Sequence, residues 1–441
     1  MNILVKNGTI ITSKKKLLCD ILLKDGIIES IGDDKSINYR FDKEIDATGF
    51  YIFPGGFDPH VHMHLPSPVG CSSDDFNSGA NAALFGGTTT LIDFVTPQRG
   101  QSIIEALNIR KAEAKGCTID YKFHVSPVEW TENTEKEIIQ CIENEGISSF
   151  KIYMAYKNTI GLDDEAISKV MQTVGKAGGI VTIHAELGDE IENFRNQFVE
   201  KAKTSPEFHV LSRPPEFESL AVKKAIELAL KSNCPIYFVH ISTKESVDYI
   251  RKAQQNGQKV YAETCPQYLL LNREKYYGPS KHTLPYIISP PLRSVEDQEA
   301  LWQAIADGTI HAIGTDHCPF TLKQKEFGIN DFRKIPNGAG GVEHRLALLF
   351  TYGVLKNRIN IHKFVELVST NPAKIFNLYP AKGEIEIGSD ADLVIWNPNV
   401  EQTISTKTHH QNCDNNIFEG FITFGKPEYI ILKGEIWNKN A

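Results

Sequence analysis

The stretch Asp58-Pro59-His60-Val61-His62 follows an apolar run that starts at Tyr51 and contains the turn-forming Pro54-Gly55-Gly56. In an extended strand, residues i and i+2 project to the same face, so the two histidines point in one direction. Two neutral imidazoles side by side at the end of a buried strand can bind one metal ion. The alternative is a pair of hydrogen-bonded histidines on a half-exposed strand, but the flanking Asp58 and the Pro-Gly-Gly turn favour a metal site.

The composition is typical of a soluble globular protein without a charged macromolecular partner. The chain has 441 residues, which fits one large domain or two ordinary ones. A net charge of -8 gives no reason to expect a nucleic acid or an anionic membrane as a partner. No apolar run approaches the roughly 20 residues of a membrane helix, and the first residues do not resemble a signal peptide. The eight cysteines are scattered without a CxxC pair, which indicates reduced thiols and a cytoplasmic protein.

Short β segments dominate both ends of the chain. Asn-Gly and Asp-Gly pairs flanked by β-forming residues predict hairpins at Asn7-Gly8 and Asp25-Gly26. The last segment, from Glu428 to Trp437, is typical of another hairpin that turns at a glycine. Neither end has enough strands to bury a core alone. We therefore expect residues 1–50 and 385–441 to form one small β-sandwich module.

Residues 51–384 alternate between apolar strand-like runs and amphipathic helical segments, which is typical of a parallel sheet covered by helices. The predicted strands span 52–57, 88–94, 120–125, 147–153, 180–184, 235–240, 258–263 and 310–315. The predicted helices span 80–85, 102–115, 134–145, 165–177, 219–231, 244–256, 343–357 and 361–369. Eight strands indicate an α/β fold with a closed (β/α)8 TIM-like barrel, and an open doubly wound sheet is the alternative if one strand is miscounted.

Side chains that bind metals or carry out chemistry follow several of these predicted strands directly. In a barrel the carboxyl ends of the strands meet at one rim, where active sites lie. The residues in question are His60, His62, Lys151, His184, His240 and Asp316. Taken alone, each of them can equally well be an ordinary polar residue at a strand end. Their occurrence at one rim favours a shared site.

Lys151 is the unexpected member of this set, because an ammonium group would repel metal ions. A buried lysine tends to lose its proton, and the neutral amine can add carbon dioxide to form a carbamate. The two carbamate oxygens could then bridge two metal ions. From the residues alone the simpler alternative is preferred, in which the stem of the lysine packs and its amino group reaches water.

Longer motifs extend from one end of the chain to the other. They are PGGFDPHVH at 54–62, SDDF at 73–76, GGTT at 86–89, FKIYMAYK at 150–157, HAE at 184–186, ETCPQYL at 263–269, SPPLR at 289–293, TDHCP at 315–319 and GSDAD at 388–392. In this order they resemble the dihydropyrimidinase and D-hydantoinase family, the cyclic amidohydrolase branch of the amidohydrolase superfamily. The resemblance covers nearly the whole chain.

The resemblance implies a binuclear metal centre of two divalent ions, usually zinc. The implied ligands are His60, His62 and Asp316 for one ion, His184 and His240 for the other, and Lys151, modified by carbon dioxide to a carbamate, as a bridge between both. It further implies that a hydroxide bridges the ions and hydrolyses a small cyclic amide, either a dihydropyrimidine or a 5-substituted hydantoin, to an N-carbamoyl amino acid. Two cations favour this reaction because they lower the pKa of the bridging water and polarise the carbonyl.

The same resemblance assigns roles to residues around the metals. Asp316 is expected to carry a proton from the hydroxide to the leaving nitrogen. The hydroxyl of Tyr156 is expected to stabilise the oxyanion. The main chain at Ser289 and Asn337 is expected to hold the cyclic amide. Relatives of this kind also lead us to expect a homotetramer or homodimer.

His64 is the position at which the chain departs from related patterns. Dihydroorotases carry an arginine two residues after the second histidine, where it pairs with the substrate carboxylate, and this chain has His64 there. A mostly neutral histidine pairs poorly with a carboxylate, so we expect His64 to contact the substrate and to favour an uncharged ring. Dihydroorotase-like or allantoinase-like activity is the alternative. A non-catalytic assembly protein related to dihydropyrimidinases is a further alternative, although every metal-ligand position is filled.

Overall fold

The computed structural model describes residues 1–32 and 41–438, so the parts of the predicted β module at 33–40 and 439–441 lie outside the described residues. The strands are β1 (Asn2–Ile11), β2 (Lys16–Lys24), β3 (Ile27–Ile31), β4 (Lys43–Asp46), β5 (Tyr51–Pro54), β6 (Gly56–Val61), β7 (Thr88–Val95), β8 (Asp120–Val125), β9 (Ser149–Tyr153), β10 (Ile180–His184), β11 (Ile236–Phe238), β12 (Val260–Thr264), β13 (Ala312–Ile313), β14 (Leu393–Thr403), β15 (Ile422–Leu432) and β16 (Glu435–Asn438). They form two eight-stranded sheets.

Helices connect the strands of the second of these sheets, from β6 to β13, and continue after it. The α-helices are α1 (Phe76–Phe85), α2 (Ile103–Glu113), α3 (Thr134–Glu145), α4 (Asp164–Lys176), α5 (Gly188–Glu200), α6 (Glu207–Leu211), α7 (Pro215–Lys231), α8 (Lys244–Gln255), α9 (Pro266–Leu270), α10 (Ser280–Thr283), α11 (Val295–Asp307), α12 (Leu322–Glu326), α13 (Arg345–Leu349), α14 (Ile361–Val365) and α15 (Asn371–Ile375). Short 3-10 helices span Arg273–Tyr276, Leu284–Tyr286 and Phe332–Lys334, and π-helical segments span Phe350–Val354 and Glu366–Thr370.

Strands β6 to β13 form the barrel. They pair in chain order, each parallel to the next. Strands β6, β7, β9 and β10 are buried at every position, as expected of parallel strands that are covered by helices. The predicted fold class, a TIM-like barrel with a β-rich module from both termini, is confirmed.

The barrel closes between β6 and the short strand β13. The main-chain N–H of Asp316 donates to the carbonyl of His60 at 2.9 Å, and that of His62 donates to the carbonyl of His317 at 2.8 Å. The first of these bonds joins two candidate ligands directly, His60 on the first barrel strand and Asp316 after the last one.

The other sheet contains strands from both termini, in the order β16-β15-β14-β5-β1-β2-β3, with β4 beside β1. Strand β5 connects the two ends, because it pairs with β1 on one side and with β14 on the other. Residues from both ends, including Ile3, Ile21, Leu393 and Ile431, share one buried cluster. The division into 1–50 plus 385–441 and 51–384 stays a prediction.

The predicted strand at 52–57 is wrong as a single strand, because it divides between the two sheets at Gly55. Strand β5 belongs to the β module and β6 belongs to the barrel. A Cβ atom on Gly55 would lie 2.1 Å from Oγ1 of Thr89, and one on Gly56 would lie 2.7 Å from the carbonyl oxygen of Gly87. Only glycine fits at both positions, so the chain can pass from one sheet into the other at this point.

The predicted hairpin at Asn7-Gly8 is also wrong, because β1 continues through it. Asn7 has a φ of 62°, and the pairing register with β2 shifts between Val5 and Gly8. An asparagine in the left-handed region has produced a bulge instead of a turn. The Asn7 N–H is satisfied by the carboxylate of Asp20 at 2.9 Å. The predicted turn at Asp25-Gly26 does connect β2 and β3.

Periodicity located several helices well. The helix predicted at 134–145 has the bounds of α3, and α2, α4, α7 and α8 overlap their predictions closely. Among the longer helices, α5 and α11 were not predicted. Among the helices that the structure describes, none has both the length and the apolar character of a membrane span.

Candidate active site

A cavity of about 1000 Å³ lies at the carboxyl ends of the barrel strands. Predicted site residues in its lining are His60, His62, Lys151, Tyr156, His184, His240, Ser289, Asp316 and Asn337. Since ligand sites of barrels lie at this rim, the cavity is the candidate active site.

His60, His62 and Asp316 form one group in this cavity. Oδ1 of Asp316 lies 3.2 Å from Nε2 of His60 and 3.1 Å from Nε2 of His62, and the two ring nitrogens are 3.2 Å apart. Burial opposes ionisation of Asp316, but the two imidazoles outweigh it and hold the pKa of this carboxyl well below its usual range. Three ligand atoms of the types that zinc prefers thus face one another.

Glu263 determines which nitrogen of His60 faces this group. Its carboxylate accepts a hydrogen bond from Nδ1 of His60, from the hydroxyl of Tyr237 at 2.7 Å and from the main-chain N–H of His240 at 3.2 Å. In the neutral ring Nε2 therefore carries the lone pair. Burial lowers the pKa of His60, but Glu263 and Asp316 outweigh burial and raise it to about 9. The negative potential that favours a proton here also favours a bound cation.

His184 and His240 form a second group. Nε2 of His184 donates to Glu186 at 2.8 Å, which leaves Nδ1 to face Nε2 of His240 at 2.9 Å. Burial opposes ionisation of Glu186, but Arg213 and His184 lower its pKa to about 2, so it stays an acceptor. Burial lowers the pKa of both histidines, and the neutral imidazole is the form that binds metal.

The two groups are adjacent. The ring centroids of His60 and His240 are 5.4 Å apart, and ligand atoms of His60, His240 and Asp316 lie within 4.8 Å of one another. These buried donors converge on one another and are oriented by carboxylates behind them, so they fit metal ions. The described part of the chain also contains a cluster of carboxylates around Asp390. This cluster differs from the histidine groups because the amino group of Lys382 lies 2.9 Å from the carboxylate of Asp390 and compensates its charge.

Lys151 lines the same cavity and is almost fully buried. The residue is 1% exposed, and Nζ lies 5.0 Å from the ring centroid of Phe94 and 5.2 Å from that of Tyr153. Within residues 1–32 and 41–438, no hydrogen bond or ion pair reaches this amino group. Burial lowers the pKa of Lys151 to about 7, against the opposing effect of Glu263 and Asp316. The neutral amine, which can react with carbon dioxide, is therefore well populated near neutral pH.

Asp58 locks the main chain of the first group in place. Its carboxylate accepts from the N–H of His60 at 3.1 Å and from the hydroxyl of Thr315 at 2.6 Å, and Arg345 lies 3.8 Å away. The sequence patterns did not predict these supporting roles, nor those of Glu186 and Glu263. The signal for the two glutamates was present, because each lies at or just after the end of a barrel strand.

Tyr156, Ser289 and Asn337 line the wall of the cavity beside the histidines. Tyr156 has a φ of 60° in the loop after β9, and its ring centroid lies 5.4 Å from that of His184. Oγ of Ser289 and Oδ1 of Asn337 are buried and have no hydrogen-bond partner among the described residues. Buried polar atoms without partners are costly, so a cavity wall that carries two of them is suited to a polar ligand.

The structure does not bring His64 to this cavity. His64 is exposed, has a φ of 48° and is not part of the lining. The expected contact between His64 and substrate therefore has no support from the geometry. Two other histidines hold the chain together, since His317 pairs with Asp74 at 3.0 Å and His124 contacts the carbonyl of Pro59 at 2.9 Å.

The sequence pattern described as the Amidohydrolase family matches residues 51–436. The chain belongs to the amidohydrolase family. This amidohydrolase is 42% identical to the D-hydantoinase of Geobacillus stearothermophilus, over 99% of the chain and 92% of the relative. It is 37% identical to the dihydropyrimidinase of Rattus norvegicus, over 98% of the chain and 85% of the relative.

A solved structure agrees with these similarities. The crystal structure of dihydropyrimidinase from Brevibacillus agri NCHU1002 matches the amidohydrolase with a TM-score of 0.98 at 39% identity, covering 100% of this chain and 95% of the other. The resemblance stated from the sequence motifs is thereby confirmed. Amidohydrolases depend on metals, and the cluster of histidines with Asp316 is a group that could hold one.

Proposed function

We propose that this amidohydrolase hydrolyses a cyclic amide bond in dihydropyrimidines or 5-substituted hydantoins and releases N-carbamoyl amino acids. The observation that carries the proposal is the convergence of His60, His62 and Asp316 with His184 and His240 in one cavity. Similarity to a D-hydantoinase and to two dihydropyrimidinases supports this class of substrate.

Two divalent metal ions, with zinc as the first choice, would be held by these two groups of residues. Imidazole nitrogens and a carboxylate are donors that suit zinc. When bound, such ions polarise the substrate carbonyl and lower the pKa of water. Lys151, as a carbamate made with carbon dioxide, would add an anionic ligand for both, and its burial and lowered pKa support this assignment.

The residues of the chain would then bind the substrate and move its protons. Asp316, kept ionised by its two imidazole neighbours, would take a proton from the attacking water and give it to the leaving nitrogen. Tyr156 would donate its hydroxyl to the carbonyl oxygen as negative charge develops there. The main chain at Ser289 and Asn337 would hold the ring amide, and the unpartnered side-chain atoms of both residues make this wall suited to a polar ligand.

The arginine donors around the cavity are already engaged, which favours an uncharged ring over one with a carboxylate. Arg99 donates from Nε to the carbonyl of Thr159 at 2.7 Å and from Nη2 to two further carbonyls at 3.0 Å. Arg333 is paired with Asp331 at 2.9 Å, and Arg110 is paired with Asp93 at 2.6 Å. A carboxylate in a desolvated pocket needs a cation that is not already occupied, so dihydroorotate is the poorer candidate.

The assembly forms a further part of the proposal. We expect a homotetramer or a homodimer. Large apolar side chains on the surface of the single chain support an assembly, since Leu18 is 72% exposed and Ile387 is 67% exposed.

A panel of cyclic amides tests the proposed function. Zinc-loaded protein would be assayed with dihydrouracil, a 5-substituted hydantoin, dihydroorotate and allantoin, with Asp316→Asn as the inactive control. We expect hydrolysis of dihydrouracil and of the 5-substituted hydantoin, and little hydrolysis of dihydroorotate and allantoin. Preference for dihydroorotate or allantoin would assign one of those activities instead. Lack of hydrolysis of all four compounds by metal-loaded protein would favour a non-catalytic role.

A further inference from the structure

Lys325, on the short helix α12, is a fully buried lysine outside the candidate metal centre. Its side chain is 0% exposed, and Nζ donates to the carbonyl of Ile287 at 3.0 Å and to that of Pro336 at 3.1 Å. No carboxylate among the described residues pairs with it. A buried cation without a counter-ion is costly, and burial lowers the pKa of Lys325 to about 7. Such a residue is poorly explained by stability alone.

The two carbonyls belong to the two chain segments that carry the candidate substrate contacts. Ser289 follows Ile287 by two residues, and Asn337 follows Pro336 directly. The N–H of Gly338 donates to the same Ile287 carbonyl at 3.0 Å, so the segments lie side by side. Lys325 therefore connects the two walls from which Oγ of Ser289 and Oδ1 of Asn337 present unpartnered polar atoms.

Helix α12 is itself fixed to a third wall of the cavity. Thr321 and Gln324 cap its first turn reciprocally. The side-chain amide of Gln324 also donates to the carbonyl of Cys71 at 2.8 Å, at the end of the 65–71 loop. Leu65 in that loop lines the cavity. The amino group of Lys325 is thus held by an anchored helix, so it can fix the spacing of the segments it contacts.

We propose that Lys325 is a positioning residue for substrate binding, which holds the segments of Ser289 and Asn337 at the spacing that a cyclic amide requires. This inference rests on the proposed function, because it assumes that the ring amide binds between those two residues. Lys325 contacts none of the candidate metal ligands, so its role is separate from metal binding.

Loss of the Lys325 contacts should change KM and leave kcat unchanged. Contacts that hold the ring amide equally in the ground state and in the transition state contribute to KM and leave kcat unchanged. Lys325→Met keeps an unbranched buried side chain and removes both hydrogen bonds. We expect KM for the preferred cyclic amide to rise at least about fivefold, kcat to stay within about twofold, and metal content to stay at the wild-type level. Lys325→Gln, which retains N–H donors on a shorter side chain, should give an intermediate KM.

Gln254→Met is the matched control. The side-chain amide of Gln254 also bridges two carbonyls, those of Val260 at 3.1 Å and Thr309 at 3.0 Å, but at the amino-terminal ends of barrel strands. Losing this bridge should lower thermal stability without changing KM.

The outcomes separate this proposal from the proposed function. A wild-type KM in Lys325→Met, or a fall in kcat and metal content at constant KM, would overturn it. Failure of both Lys325 variants to fold would also overturn it, since the residue would then serve the fold itself. If the wild-type protein hydrolyses no cyclic amide, the proposed function and this inference are rejected together. If the wild type is active and Lys325→Met has an unchanged KM, only the role proposed for Lys325 is rejected.

Discussion

The carboxylate of Glu263 accepts a hydrogen bond from Nδ1 of His60, on the side of the ring away from Asp316. This contact aims Nε2 of His60 at the candidate metal centre. Glu263→Gln should therefore weaken metal binding by about 10-fold to 100-fold, as expected for partners behind metal-binding histidines. Zinc affinity measured by competition with a chelator checks this.

Glu218→Gln is the control for the loss of a buried carboxylate. Glu218 is 2% exposed and accepts from the main chain of Ser242 and Thr243, each at 3.1 Å, without contacting the histidines. The zinc affinity of Glu218→Gln should equal that of wild type. Equal losses of zinc affinity in both variants would show that the role of Glu263 is general stability.

Lys151→Ala should lose bound metal and activity together, because the carbamate proposed there supplies an anionic ligand. Short carboxylic acids added to the variant should partly restore both, since their carboxylate can occupy the vacated position. Elemental analysis and hydrolysis rates, each with and without the acid, provide the measurement. Full metal content in Lys151→Ala would contradict the carbamate assignment. Lys169→Ala is the control, because this lysine is 43% exposed and pairs with Glu165.

Substrate choice is predicted from the arginines around the cavity, whose donors are engaged by carboxylates or main-chain carbonyls. We expect kcat/KM for dihydrouracil or a 5-substituted hydantoin to exceed that for dihydroorotate by at least tenfold, which is about 1.4 kcal/mol of transition-state binding. Because His64 is exposed outside the cavity, His64→Ala should leave this ratio unchanged within about twofold. A ratio that collapses in His64→Ala would restore His64 as a specificity residue.

Sequence patterns located the candidate ligands but not the contacts that orient them. The i, i+2 spacing of His60 and His62 and their position at a strand end require only local rules. The partner of His60 is Glu263, which lies 203 residues away, and no local pattern connects them. His64 was expected near the substrate from its place two residues after His62, but β6 ends at Val61 and the chain then turns, so His64 is exposed and does not line the cavity.

Local turn signals were ambiguous at positions where tertiary contacts determine whether a turn forms. Asn7-Gly8 and Asp25-Gly26 carry the same type of hairpin signal, and only the second makes a turn. Gly8 lies against Ile52, so close that an added Cβ would sit 2.3 Å from its Cδ1 atom. The glycine is thus required by packing against β5, which a reading of neighbouring residues could not reveal.

Lys382 should stabilise the junction between the barrel and the β module. Its amino group is paired with Asp120 at the start of β8 and with Asp390 and Asp392 just before β14. Lys382→Met leaves Asp390 and Asp392 without their cation, while Asp120 keeps its pair with Lys433, so the change should destabilise the fold by about 3 kcal/mol. Thermal denaturation checks this against Lys224→Met, which removes an exposed pair with Asp164 and should cost less than about 1 kcal/mol. Equal midpoints for the two variants would contradict the prediction.

Lys325 should make stability depend on pH in a known direction. Its folded-state pKa of about 7 lies below the ordinary value of 10.5, so the unfolded chain binds more protons between these values. Stability of wild type should therefore rise with pH across this window, by at most about 1.4 kcal/mol per pH unit from this group. The melting temperature of Lys325→Met minus that of wild type should be largest near pH 7 and should decline towards pH 10. A difference that is constant with pH would contradict the lowered pKa.

The metal centre proposed for the histidines, Lys151 and Asp316 is tested by titrating metal-free protein with zinc in the presence of bicarbonate, while hydrolysis of a 5-substituted hydantoin is followed at each step. We expect no hydrolysis without metal and a rise to a plateau at about two zinc ions per chain. Hydrolysis by the metal-free protein, or none at any zinc concentration, would contradict the proposed metal centre.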